Sequence, residues 1–117
     1  MNQRTLFLNH VAQTSPAPIA LEIAKARGVT ITDTKGKKYL DLIAGISVCN
    51  VGHAHPKVVK AIKEQAADYL HILVYGEMIE SPQVQYAHLL VQHLPKSLNC
   101  VYFTNSGAEA TEGAMKL

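Results

Sequence analysis

Ser106, Gly107, Ala108 and Glu109 are the residues of this chain whose types and spacing best suit chemistry. They follow a short apolar run, Cys100-Val101-Tyr102-Phe103, of the kind buried on both faces of a sheet. Thr104-Asn105-Ser106-Gly107 carries turn and capping chemistry. From Ala108 onward the residues are mostly helix formers, with Glu109 and Glu112 in the first turns, where carboxylates suit the helix dipole. A strand, a small-residue turn and a helix start in that order aim free backbone N–H groups at one point. Those groups and the dipole make a site for a phosphate or a carboxylate. Gly107 lets an anion approach the backbone, and Ser106 adds a hydroxyl donor. The same residues also suit a plain capped helix with nothing bound, because every α/β unit contains such a junction.

Other reactive side chains point to less. His53 and His55 lie two apart in a loop, but no third ligand is nearby in sequence. Pro56 suits the first position of a helix, which makes His55 a flanking or capping residue. His88 and His93, five apart on a helix, do not share a face. No metal site is expected. Cys49 and Cys100 have no paired spacing, and Cys100 reads as a small buried side chain. A reducing cytoplasm fits this cysteine usage.

The elements that would position these groups are legible in outline. Thr5 to Ala12 suggests a short helix, and Ser15-Pro16-Ala17-Pro18 breaks it. Ile19 to Arg27 is ambiguous between strand and helix; the extended Pro16/Pro18 entry and the early Gly28 favour a strand. Val29 to Thr32 is β-branched throughout. Asp33-Thr34-Lys35-Gly36 is a turn with glycine last, and Lys37 to Leu42 returns as partner strand. Residues 19–43 therefore read as a small antiparallel meander. Ala44 to Pro56 is a loop. Pro56 to Leu70 is a helix with Val59, Ile62, Ala66 and Tyr69 in a stripe. A second helix starts at Ser81-Pro82 and is stopped by Pro95, with Val84, Ala87, Val91 and Leu94 on one face.

Composition bounds the function classes. The chain has 117 residues, which suits one domain. Its 48% hydrophobic and 17% charged content permits a packed core and argues against disorder. A net charge of +2 is too small to argue for nucleic acid, and the lysines read as solvated surface. No apolar run has membrane length, and no signal-peptide pattern follows Met1. Leu117 falls inside a run of helix formers with no stop signal after it. The sequence therefore reads as the N-terminal part of something longer.

Several motifs in combination resemble the class III aminotransferases, pyridoxal-phosphate (PLP) enzymes of the acetylornithine and ornithine type. They are the meander Gly28 to Leu42, the run Tyr39 to Ile46, Asn50-Val51-Gly52-His53-Ala54-His55-Pro56-Lys57, and Ser106-Gly107-Ala108-Glu109-Ala110 with Glu112 and Lys116-Leu117. The resemblance implies an α/β fold, the N-terminal portion of a fold type I PLP-dependent transferase. Residues 1–55 would be an N-terminal segment with the meander, in the small domain. Residues 56–117 would begin the large PLP-binding domain, with its mixed, mostly parallel sheet. It also implies a homodimer that moves an amino group from an amino donor to a 2-oxo acid by a ping-pong route. Ser106, Gly107 and Ala108 fall on the family's phosphate cup. Ile46 and Tyr75 fall on or near positions that border the substrate pocket; core packing is an equal reading of both. The lysine that carries the cofactor, the acid under the pyridine nitrogen and the arginine for the α-carboxylate are expected further along, so no catalytic residue is assigned here. A non-catalytic anion-binding or interaction module, or a racemase- or decarboxylase-like relative, stays open.

Overall fold

The computed structural model describes residues 2–73 and 76–117. Its elements run α1 (Gln3–His10), β1 (Ile23–Arg27), β2 (Thr30–Asp33), β3 (Lys38–Leu40), α2 (Ala44–Ser47), α3 (Pro56–Asp68), α4 (Ser81–Val91) and α5 (Gly107–Lys116). Contacts divide the chain into two units, Met1–Leu70 and His71–Leu117.

The first unit is built on the expected meander, with strand order β1-β2-β3 and both pairs antiparallel. Ile23 opposes Asp33 and Lys25 opposes Thr32, so the register shifts at Ala24. Such an extra residue bends an edge strand and discourages further pairing there. The strands are shorter than the sequence suggested, and residues 19–22 lie outside them, although the Glu22 carbonyl accepts from the Thr34 amide at 2.9 Å just beyond the ladder.

The β2–β3 turn is held by one carboxylate. Asp33, 8% exposed, accepts from the amides of Lys35 and Lys37 and from the Tyr39 hydroxyl, each at 2.9 Å. The Gly36 amide closes the turn on the Asp33 carbonyl at 3.0 Å, with Gly36 at φ +84°. That backbone hand is where glycine is favoured. Burial works to raise the pKa of Asp33, but the Lys37 amide, the Tyr39 hydroxyl and the Lys35 amide outweigh it. The carboxyl therefore sits below its ordinary value. The same bond, helped by burial, pushes the Tyr39 phenol above its usual value.

Within the first unit, neither α1 nor α3 packs on another element, and within the second α4 and α5 do not pack on each other. No apolar side chain among the described residues is buried. The α3 stripe is present in sequence, yet Ile62 remains 62% exposed. Cys100 to Phe103 is not a strand: it is extended backbone without a ladder partner. A buried parallel strand needs neighbours brought in by long crossovers, and the described residues supply none. Cys100 is accordingly exposed, which corrects the expectation that it is buried. Phe103 does find company, stacking on Tyr86 of α4 with ring centres 5.8 Å apart.

Candidate functional site

Two places could do chemistry, one in each unit. The first is the start of α5. Ser106 is its N-cap, with extended backbone (φ −142°, ψ 159°). Its Oγ accepts from the Glu109 amide at 3.2 Å, while the Glu109 carboxylate accepts from the amides of Asn105 (2.8 Å) and Ser106 (3.0 Å). This is a capping box extended by one residue. The Ala110 amide donates to the Ser106 carbonyl at 3.1 Å. The amides of Gly107 and Ala108 have no partner among the described residues, and both residues are exposed.

The cup is thus narrower than the residue types suggested. Ser106 contributes its hydroxyl proton but not its amide, which Glu109 holds. A Cβ built at Gly107 would meet nothing within 4 Å, so the approach to the two amides is open. Two consecutive amides, one hydroxyl and the positive end of a ten-residue helix make a donor set that fits a phosphate group. Lys116 is remote from it along α5 and donates to Glu112 at 2.7 Å.

The second place is α2, which the sequence reading treated as loop. It is a single turn of reversed hand: φ is +49° at Ala44, +62° at Gly45, +65° at Ile46 and +63° at Ser47. Ser47 donates to the Ile43 carbonyl at 3.0 Å, and Val48 and Cys49 donate to the Ala44 carbonyl at 2.9 Å. Left-handed turns cost non-glycine residues roughly 1–2 kcal/mol each. At branched Ile46 the conformation is a true outlier.

Asp41 anchors this turn. One carboxylate oxygen accepts from the amides of Ile43 and Ala44, both at 3.0 Å. The other lies 2.5 Å from Nε2 of His53. The Asp41 side chain is 6% exposed and that of His53 22%. The His53 bond, then the Ala44 amide, hold the Asp41 carboxyl below its usual value, against burial. With Asp41 ionised, the ring N–H is the donor. His53 is itself pinned to Gly28 by amide–carbonyl bonds in both directions, at 2.8 and 2.9 Å. Gly52, at φ +82°, lies so close to Gly28 that a Cβ would come within 3.1 Å of its Cα and carbonyl oxygen.

Ile46 therefore sits on the strained turn with its side chain 83% exposed. Tyr75 lies outside the described residues. His55 is the N-cap of α3, with Pro56 in its first turn, but its side chain makes no cap bond. No group of three metal-ligating side chains is gathered among the described residues. Sequence reasoning missed the Asp41–His53 pair, because twelve residues separate them and no local spacing links them. The available signal was an aspartate two residues ahead of Ile43 and three ahead of Ala44, where its side chain can bond both amides.

A family model described as aminotransferase class-III matches residues 11–117. The chain is 46% identical over 99 residues to an acetylornithine aminotransferase of Methanosarcina mazei, covering 83% of this chain and 24% of that protein. Among solved structures it is similar to the acetylornithine aminotransferase of Elizabethkingia anophelis, with TM-score 0.80 and 34% identity over 96% of this chain and 28% of the other. It is also similar to the adenosylmethionine-8-amino-7-oxononanoate aminotransferase of Methanocaldococcus jannaschii, with TM-score 0.84 and 29% identity, over 97% of this chain and 27% of that one. The chain spans about a quarter of the length of these relatives.

Proposed function

The chain belongs to the class-III aminotransferase family, and from that membership we propose that the whole protein is a PLP-dependent transaminase. It takes an amino group from an acetylornithine- or ornithine-like donor and delivers it to a 2-oxo acid. The observation that carries the reading is the pair of open amides at Gly107 and Ala108, on the helix start where the family motif falls. Acetylornithine is favoured as donor because relatives of that name reach 48% identity.

PLP, when bound, supplies an electron sink that makes the amine carbon acidic and carries the amino group between half-reactions. This chain's part is to hold the cofactor by its phosphate. Gly107 and Ala108 donate their amides, Ser106 donates its hydroxyl, and the α5 dipole adds to the field. Glu109 keeps the turn in shape by occupying the Asn105 and Ser106 amides. Ile46 offers an apolar contact to the donor's carbon chain, with no hydrogen-bonding group of its own. Tyr75 is a further pocket candidate. Residues 1–55 belong to the small domain and 56–117 to the start of the large one, and the protein acts as a homodimer in the cytoplasm.

The test is the full-length protein loaded with PLP and given N-acetylornithine and 2-oxoglutarate. Formation of glutamate, with a visible absorbance band from lysine-bound cofactor, is expected. No amine transfer and no such band would overturn the reading. Residues 1–117 alone should show no turnover, because no lysine here is offered as cofactor carrier.

A further inference from the structure

The reversed turn Ala44–Ser47 is strained, and the strain needs a cause outside it. Positive φ at Ala44, Ile46 and Ser47 persists only where the surroundings over-determine it. Two groups do so here. The Asp41 carboxylate grips the amides at the entrance of the turn, and His53 grips that carboxylate. His53 cannot drift, because its backbone is tied to Gly28 in both directions and Gly52 is packed against the same glycine. The chain thus runs from the β1–β2 junction through His53 and Asp41 to the turn that presents Ile46.

We propose that Asp41 and His53 are positioning residues for substrate selection: they hold the left-handed turn so that Ile46 meets the amino donor at a fixed place. The amine-transfer reading above supplies the donor, and the proposal rests on it for that half alone. The other half concerns the turn itself and is readable without turnover. Neither residue touches the reacting atoms. With the pair broken, the turn relaxes toward ordinary backbone, Ile46 swings away, and the distinction between donors of similar length fades while the cofactor stays bound.

The experiment uses the full-length PLP-loaded protein with His53→Ala, His53→Gln and Asp41→Asn. Hydrogen exchange over residues 43–49 is measured by mass spectrometry in the cofactor-free and loaded forms. Steady-state kinetics are measured with N-acetylornithine and with ornithine. In His53→Ala, exchange at 43–49 should quicken about tenfold or more, as expected for local opening. KM for N-acetylornithine should rise roughly tenfold with a much smaller change in kcat, and the preference between the two donors should shrink. His53→Gln, which can still donate to Asp41, should recover most of both effects. Asp41→Asn keeps an oxygen for the two amides and should fall between. Should His53→Ala fail to fold, the other two variants carry the same readouts. Unchanged exchange over 43–49 overturns the clamp. Faster exchange with unaltered KM and donor preference overturns its role in selection. A wild-type protein that transfers no amine from either donor defeats the function reading instead, and the exchange data then judge the clamp alone.

Discussion

Glu109 reaches back over Ser106: its carboxylate accepts from the Ser106 amide at 3.0 Å, while the Ser106 hydroxyl accepts from the Glu109 amide at 3.2 Å. Each residue satisfies a donor that the other would otherwise leave bare. The box frees the hydroxyl proton of Ser106 and the next two amides for something else. Helix capping and the proposed phosphate contact therefore meet in one side chain, and substitutions at Ser106 should separate them.

Ser106→Ala removes the cap and should destabilise the full-length protein by about 1 kcal/mol. Ser106→Asp keeps an acceptor for the Glu109 amide, so stability should survive, but it sets a negative charge beside the cup. Denaturant titration and PLP titration of the two variants should diverge: both weaken cofactor binding, and Ser106→Ala alone loses stability.

Gly107→Val places its Cβ in open space above the amides, since nothing lies within 4 Å of it. The fold should be little affected, while PLP binding should weaken by at least ~1–2 kcal/mol because the branched side chain obstructs the approach to the two amides. Equilibrium dialysis of the full-length variant checks this. Wild-type cofactor affinity would remove Gly107 from the phosphate site.

Low pH should loosen the meander and the reversed turn together. Asp33 and Asp41 both have folded pKa values below their ordinary ones. A depressed folded value means that the contribution is present above the unfolded value, near pH ~3.9, and is lost as pH falls through the folded one. Between pH 5 and pH 2, stability should fall, and Asp41→Asn should flatten part of that slope. Chemical denaturation across this range reports it. Tyr39 adds an opposite edge: its raised value makes its contribution present below about pH 10 and lost above.

Gly52→Ala should cost ~1–3 kcal/mol, because it combines an unfavourable backbone hand with a clash against Gly28. Gly36→Ala has the same hand but open space, and should cost less. Equal losses in thermal unfolding would mean that the Gly28 contact is unimportant.

The sequence displayed the local features well. β-branched Val29 to Thr32 and the Asp33–Gly36 turn led to the meander, and Pro56 marked the start of α3. The Ser106 to Glu109 turn led to the α5 cap. What escaped was set by distance. A strand at Cys100–Phe103 needs partners from elsewhere, so its apolar composition spoke of an environment the described residues do not provide. The reversed turn escaped because Ala44, Ile46 and Ser47 all prefer the other hand; only the side chains of Asp41 and His53 reveal why they give way. The reach of the Glu109 carboxylate back to the Asn105 and Ser106 amides is a further feature that residue types alone do not display.

Position 46 also filters its own occupants. Glycine or asparagine would rest easily at φ +65°, whereas a side chain branched at Cβ fits there worst. Any change of side chain there is thus weighed twice, once by what it touches and once by the chirality of the main chain beneath it. Swapping isoleucine for an unbranched group would ease the polypeptide even as it altered the surface exposed there, so tailoring this corner by mutation shifts shape and rigidity at the same stroke.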